Sequence, residues 1–202
     1  MKTVKTNWPY FRAGWCVFLL LLALVSGTAV RAAEETMPST KTEIEALLRA
    51  AQEGNPDAMF SVGVLTLSGR LKGLEREEAV KLIEAAASAG NQEAVYLAGS
   101  LYLKGDAVPK DASRAAAFYE QAANKGHVGA QTALAQLYLK GEGVEKDDGK
   151  ARMLLEKAAA RGFPAAQLNL GVLYISGEGG AHDPERGTKL ISQAANRGLA
   201  EA

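Results

Sequence analysis

One spacing constrains this chain more than any other feature. Gly54, Gly90, Gly126, Gly162 and Gly198 stand 36 residues apart without slippage. Four residues past each stands an alanine: Ala58, Ala94, Ala130, Ala166 and Ala202. Alanine pairs precede the last four glycines, at Ala86-Ala87, Ala122-Ala123, Ala158-Ala159 and Ala194-Ala195. Self-similarity at such a period marks a repeat array, in which each unit buries its apolar face only by stacking on its neighbours. The phase gives four complete units: 55–90, 91–126, 127–162 and 163–198.

Each unit reads as two helices. In the third, Ala130, Leu134, Leu137 and Tyr138 recur at i, i+4, i+7 and i+8 on the first helix, and Ala151, Leu154, Leu155, Ala158 and Ala159 form the matching face of the second. Small residues on a buried face let helix backbones approach. Gly63, Gly99 and Gly171 extend this, each at ~1 kcal/mol of helix propensity, with Ala135 in the same place in the third unit. Gly105, Gly141 and Gly177 fall where a left-handed residue would end the first helix. Asp111, Asp147 and Asp183 are placed to N-cap the second, with Pro184 at the first helical position, and Asn55-Pro56 repeats that device. The first unit departs most: Thr66 stands where Tyr102, Tyr138 and Tyr174 stand later, and Leu71-Lys72-Gly73-Leu74-Glu75 replaces the usual loop. Upstream, Thr42-Glu43-Ile44-Glu45 reads as a capping box opening a helix that stops at Gly54, a half-repeat covering the N-terminal end. The expected fold is all-α, an α/α superhelix (solenoid) of about four full helix-turn-helix repeats plus that half-repeat, over residues 42–202.

The N-terminus is different in kind. Lys2, Lys5 and Arg12 precede an apolar run from Trp15 to Val25, and Val30-Arg31-Ala32 offers small residues for cleavage before Ala33. Residues 1–32 therefore read as a signal peptide, with a retained signal anchor as the alternative, and 33–41 as a flexible leader. The expected location is periplasmic or secreted, or membrane-anchored if the segment is kept. Cys16 is the only cysteine, so the exported chain would be held by packing alone. The formal net charge is zero, with 23 basic and 23 acidic side chains, and no field directs the protein to nucleic acid.

The run from Leu137 to Asp147 (Leu137-Tyr138-Leu139-Lys140-Gly141-Glu142-Gly143-Val144-Glu145-Lys146-Asp147), followed by Ala158-Ala159-Ala160-Arg161-Gly162, resembles the Sel-one-like repeat (SLR) family, tetratricopeptide-related α-solenoids with a longer inter-helix loop. Leu101 to Gly105 and Leu173 to Gly179 are similar to the same motif. The resemblance implies a right-handed superhelix whose first helices line a concave groove. It implies an adaptor for a protein or peptide in envelope signalling, assembly or host contact, or, as an alternative, an immunity protein that holds a toxin. Positions that would face that groove are Phe60 and Val64, then Tyr96, Leu97, Ser100 and Lys104, then Thr132, Gln136 and Lys140, and finally Leu168, Asn169, Val172 and Ser176. Lys104 and Lys140 would form a cationic strip, and Asn169 could pair with peptide backbone. The other reading is that Phe60, Tyr96 and Leu168 only pack between neighbouring units.

A chemical centre is harder to find. His127 and His182 lie 55 residues apart, each in a turn, and read as solvated loop side chains, not as metal ligands. Glu142 and Glu178 read as solvated loop acids. Gly141-Glu142-Gly143 follows no strand, so a helix-ending turn explains it better than a phosphate loop. No Ser-x-x-Lys is present, which disfavours the cell-wall or penicillin-interacting enzyme that some cysteine-rich members of the family suggest. The sequence thus points to a non-enzymatic scaffold with no catalytic, metal or cofactor residues.

Overall fold

The computed structural model describes residues 41–180 and 182–197. The signal segment, the leader up to residue 40, Gly198 and Ala202 lie outside them. The described residues hold nine α-helices and no strand. They are α1 (Lys41–Gln52), α2 (Pro56–Leu67), α3 (Arg76–Ser88), α4 (Gln92–Lys104), α5 (Ala112–Asn124), α6 (Val128–Lys140), α7 (Asp148–Ala160), α8 (Pro164–Ser176) and α9 (Pro184–Ala195). A single 3-10 turn, Glu178–Gly180, precedes α9. The fold is all-α, four two-helix repeats of the α/α solenoid class behind a single helix. By contacts the chain divides into two units, Met1–Val95 and Tyr96–Ala202.

The second helices of the first three repeats stop in one way. In α5, His127 N–H donates to the Ala122 carbonyl at 3.0 Å and Gly126 N–H to that of Ala123 at 2.9 Å. These are the crossed bonds of a Schellman motif, which needs a left-handed residue between them; Gly126 has φ 86°. Ala122 and Ala123 are both buried, so the alanine pair supplies the capped carbonyls and a flat packing surface together. Gly54, Gly90 and Gly162 also have positive φ, at 84°, 101° and 78°. The next helix starts at once. Asn55, Asn91 and His127 each accept from the backbone N–H of the alanine three residues on, at 3.0, 2.7 and 3.0 Å.

In the first unit α1 packs on α2 and α2 on α3. Phe60, Val62, Val80, Ile83 and Val95 are its innermost large side chains. A methyl group on Gly63 would lie 2.6 Å from Ile83 Cγ1, so the glycine is what lets α2 and α3 meet. Two local expectations change. Thr42 lies inside α1, which already begins at Lys41, so it does not form the capping box. A capping box stands instead at α3, where Glu75 N–H donates to Glu78 Oε2 at 3.1 Å.

In the second unit the helices from α5 to α9 pack in chain order. Asp111, Asp147 and Asp183 each accept from the backbone N–H three residues on, at 2.9, 2.8 and 3.0 Å, and so N-cap α5, α7 and α9. Their own N–H groups donate to the carbonyls of Tyr102, Tyr138 and Tyr174 at 2.9, 3.0 and 2.9 Å, closing each inter-helix loop. A cation sits over each of these tyrosine rings: Arg114 at 4.1 Å, Lys150 at 5.3 Å and Arg186 at 4.6 Å. The first repeat has Thr66 for the tyrosine and Glu78 for the cation, so both halves of the pair are replaced together. The loop's second glycine has its own task. A Cβ on Gly143 would lie 2.3 Å from the backbone of Ala112, at the start of the preceding repeat's second helix, and one on Gly179 would lie 2.8 Å from the Asp148 carbonyl. Ala107 holds the same place in the second repeat at φ 62°, the one non-glycine described at positive φ.

Candidate functional site

The residues assigned to a groove belong to the first helices of the repeats, and the helix period sorts them. At about 100° per residue, positions seven, ten and fourteen of a repeat lie within roughly 40° of position three, while position six lies about 60° to one side. Positions ten and fourteen come to the surface. In the second unit they are Ser100 (half-buried) with Lys104, Gln136 and Lys140, and Val172 and Ser176, the last five exposed. Val172 is 50% exposed, an apolar side chain that no neighbour covers among the described residues.

Position six turns inward. Phe60 is 2% exposed and Thr132 5%, so neither lines an open groove; both are core residues, because that angle aims them at the adjoining helices. Thr132 Oγ1 is satisfied within its own helix, donating to the Val128 carbonyl at 2.9 Å. Tyr96 and Leu168 share position six and are half-buried, as are Leu97 and Asn169 at position seven. Val64 is half-buried and belongs to the first unit. The second unit therefore brings Lys104, Gln136, Lys140 and Val172 to helix positions of one phase, with Tyr96, Leu97, Leu168 and Asn169 beside that phase.

A cluster that the sequence did not indicate surrounds Tyr96. Its ring stacks on His127 with centroids 4.6 Å apart and meets Tyr119 at 5.7 Å, tilted. Tyr119 Oη and Ser100 Oγ share a hydrogen bond of 3.0 Å. Burial pushes the Tyr119 phenol up to about 12, against the smaller opposing pull of the Ser100 bond. Burial also raises Tyr96. His127 is thus not a solvated loop side chain. Its Nδ1 caps α6 and its ring is half-buried against Tyr96. A usable signal existed: His127 holds the register of Asn55 and Asn91, the caps of the two earlier repeats.

The loop acids behave differently from each other. Glu142 forms an ion pair with Lys110 at 2.8 Å, and the hydrogen bond and charge of Lys110 hold its carboxyl below the usual range. It is a structural partner, not a merely solvated acid. Glu178 and His182 are exposed. Among the described residues no group of three or more His, Cys, Asp or Glu side chains converges as a metal site. None of the described helices is long and apolar enough to cross a membrane.

Against known proteins, the model of the Sel1 repeat matches residues 56–91, 92–127, 128–163 and 164–199, each one residue beyond the unit read from the glycine ladder. Among solved structures, the chain is similar to c5321, described as a protective antigen present in uropathogenic Escherichia coli strains displaying an SLR fold. The two are 30% identical with a TM-score of 0.73, over 78% of this chain and 34% of the antigen, so this chain spans about a third of that protein's length. It is also similar to the Sel1 repeat protein from Oxalobacter formigenes, at 25% identity and a TM-score of 0.73, over 88% of this chain and 71% of that one. No curated protein matches the sequence.

Proposed function

This chain belongs to the Sel1 repeat family, and we propose that it is an exported, non-catalytic scaffold that captures a protein or peptide on the first-helix surface of its second unit. Sel1 repeats form protein-binding scaffolds, and what remains particular to this chain is its surface. The carrying observation is the shared helical phase of Lys104, Gln136, Lys140 and Val172, all exposed, at positions where neighbouring phases are buried. Two ammonium groups one repeat apart, an amide and an uncovered valine suit an extended acidic segment with an aliphatic anchor: the cations steer and orient, and the apolar contact supplies desolvation. Tyr96 and Leu97 would extend the apolar part at the α4 end.

Export rests on the basic residues, apolar run and small-residue cleavage signal of residues 1–32. The likeness to a protein described as a protective antigen fits a location outside the cytoplasm. The test is crosslinking capture from periplasm or medium with wild type and with Lys104→Glu/Lys140→Glu. Loss of a specific crosslinked partner at unchanged circular dichroism is expected; equal capture by the two proteins overturns the surface assignment. N-terminal sequencing of the exported chain should begin at Ala33.

A further inference from the structure

The first unit holds an apolar cleft that the repeat pattern does not explain. Leu48 of α1, Val62 of α2, Leu82 of α3 and the loop residues Leu71 and Leu74 line a cavity of about 360 Å³. That volume is within the range of pockets that bind small molecules or single side chains with their flanks. The segment that builds its mouth, Leu71-Lys72-Gly73-Leu74, is where the first repeat abandons the loop used by the other three. Those loops turn on a glycine followed by an acid, at Gly105-Asp106, Gly141-Glu142 and Gly177-Glu178; this one has Gly69-Arg70 there and goes on with Leu71-Lys72-Gly73-Leu74.

The polar part of the lining is small and specific. Lys72 is the one ionic side chain in it, and Lys72 forms no ion pair among the described residues. Gln52, exposed at the end of α1, contributes an amide with both donor and acceptor capacity. Gly73 stands between Lys72 and Leu74 at φ 100°, with open space where a Cβ would be, so backbone can approach it.

We propose that this cleft takes the C-terminal end of a peptide whose last residue is aliphatic. The side chain would enter among Leu48, Leu71, Leu74 and Leu82. The terminal carboxylate would meet Lys72, and the last peptide group would pair with Gln52 and the Gly73 backbone. A fatty acid shares the first two features, but its hydrocarbon has no use for the amide or the open backbone; these favour a peptide. The site is separate from the lysine-bearing surface of the second unit, and each can fail while the other stands.

The test uses the full chain and a fluorescent six-residue peptide ending in leucine, read by anisotropy. The free-acid peptide should bind, and its C-terminal amide at least tenfold more weakly. Lys72→Met, a change at an exposed site, should remove that discrimination by lowering acid binding to the amide level. Leu74→Gln should weaken both peptides, and Lys104→Glu/Lys140→Glu should change neither. Equal binding of acid and amide, discrimination that persists in Lys72→Met, tighter binding of decanoate than of the peptide, or no binding at all would each overturn the proposal.

Discussion

Arg161 Nη1 donates to the backbone carbonyl of Gly126, one repeat upstream, and Arg197 does the same to Gly162. The left-handed turns at Gly126 and Gly162 free these carbonyls from the helix ladder, and the arginine one period later takes each up. Ala89 and Lys125 stand at the same register in the first two repeats. The exposed bond should be modest: Arg161→Ala is expected to lower the urea unfolding free energy by about 0.5–1.5 kcal/mol without altering helicity. A loss below experimental error would assign Arg161 to the solvated surface.

Gly99 and Tyr119 give a direct test of helix approach. A methyl on Gly99 would lie 2.7 Å from the Tyr119 ring, which is 2% exposed and fixed by Ser100. Alanine would gain ~1 kcal/mol of helix propensity, but overpacking a fixed ring costs ~1–3 kcal/mol, so Gly99→Ala should destabilise on balance. The third repeat carries the alternative pair, Ala135 with Leu155, both buried in one core cluster. Adding Tyr119→Leu to Gly99→Ala should therefore recover part of the loss, a positive coupling measurable in a double-mutant cycle.

The two glycines of the third repeat's loop should separate in energy. Gly141→Ala meets ordinary contacts, no nearer than 3.4 Å, and should cost about 1 kcal/mol for its left-handed backbone alone. Gly143→Ala adds a collision with the Ala112 backbone and should cost roughly 3 kcal/mol or more. In the opposite direction, Ala107→Gly relieves a left-handed alanine and should raise the melting temperature, by the equivalent of about 0.5–1 kcal/mol. Equal costs for the two glycines would deny the loop its close contact.

The raised Tyr119 phenol makes stability depend on pH in the alkaline range. In the unfolded chain it ionises near 10; in the folded protein, near 12. Below 10 both states keep the proton and stability is unaffected. Between 10 and 12 only the unfolded state loses it, so folding weakens as pH rises, by about 2 kcal/mol at pH 12. Tyr119→Phe lacks this titration. Wild type should be the more stable protein at pH 9, through the Ser100 bond, and the less stable at pH 12, a crossing readable from parallel urea titrations. Parallel curves for the two proteins would contradict the buried phenol.

The glycine ladder, the paired alanines and the capping aspartates made the helices and their ends legible, because backbone geometry demands particular residues there and repetition sets their phase. The surface was less legible. Phe60 and Thr132 share the repeat register of the groove positions yet lie in the core, because a 60° rotation separates an open phase from a buried one. The role of His127 is hard to see in sequence because its cap partner is a backbone N–H and its stacking partner lies in the preceding repeat. Lys72 was visible only as part of an irregular loop; that its neighbours close a cavity depends on α1 and α3, which no local pattern connects to it.

Four contacts between repeats in the second unit share a direction. Gly143 rests on Ala112, Gly179 on Asp148, Arg161 reaches Gly126 and Arg197 reaches Gly162. In every case the later segment supplies the reaching group and the earlier one offers only backbone, already shaped once its own helix has formed. In a chain threaded amino end first, through a ribosome or a translocation pore, these four contacts form on backbone already in place, whereas Lys110 and Tyr96 wait for the later side chains of Glu142 and His127. For these four, each arrival finds its docking surface finished, and growth of the array can follow the order of synthesis.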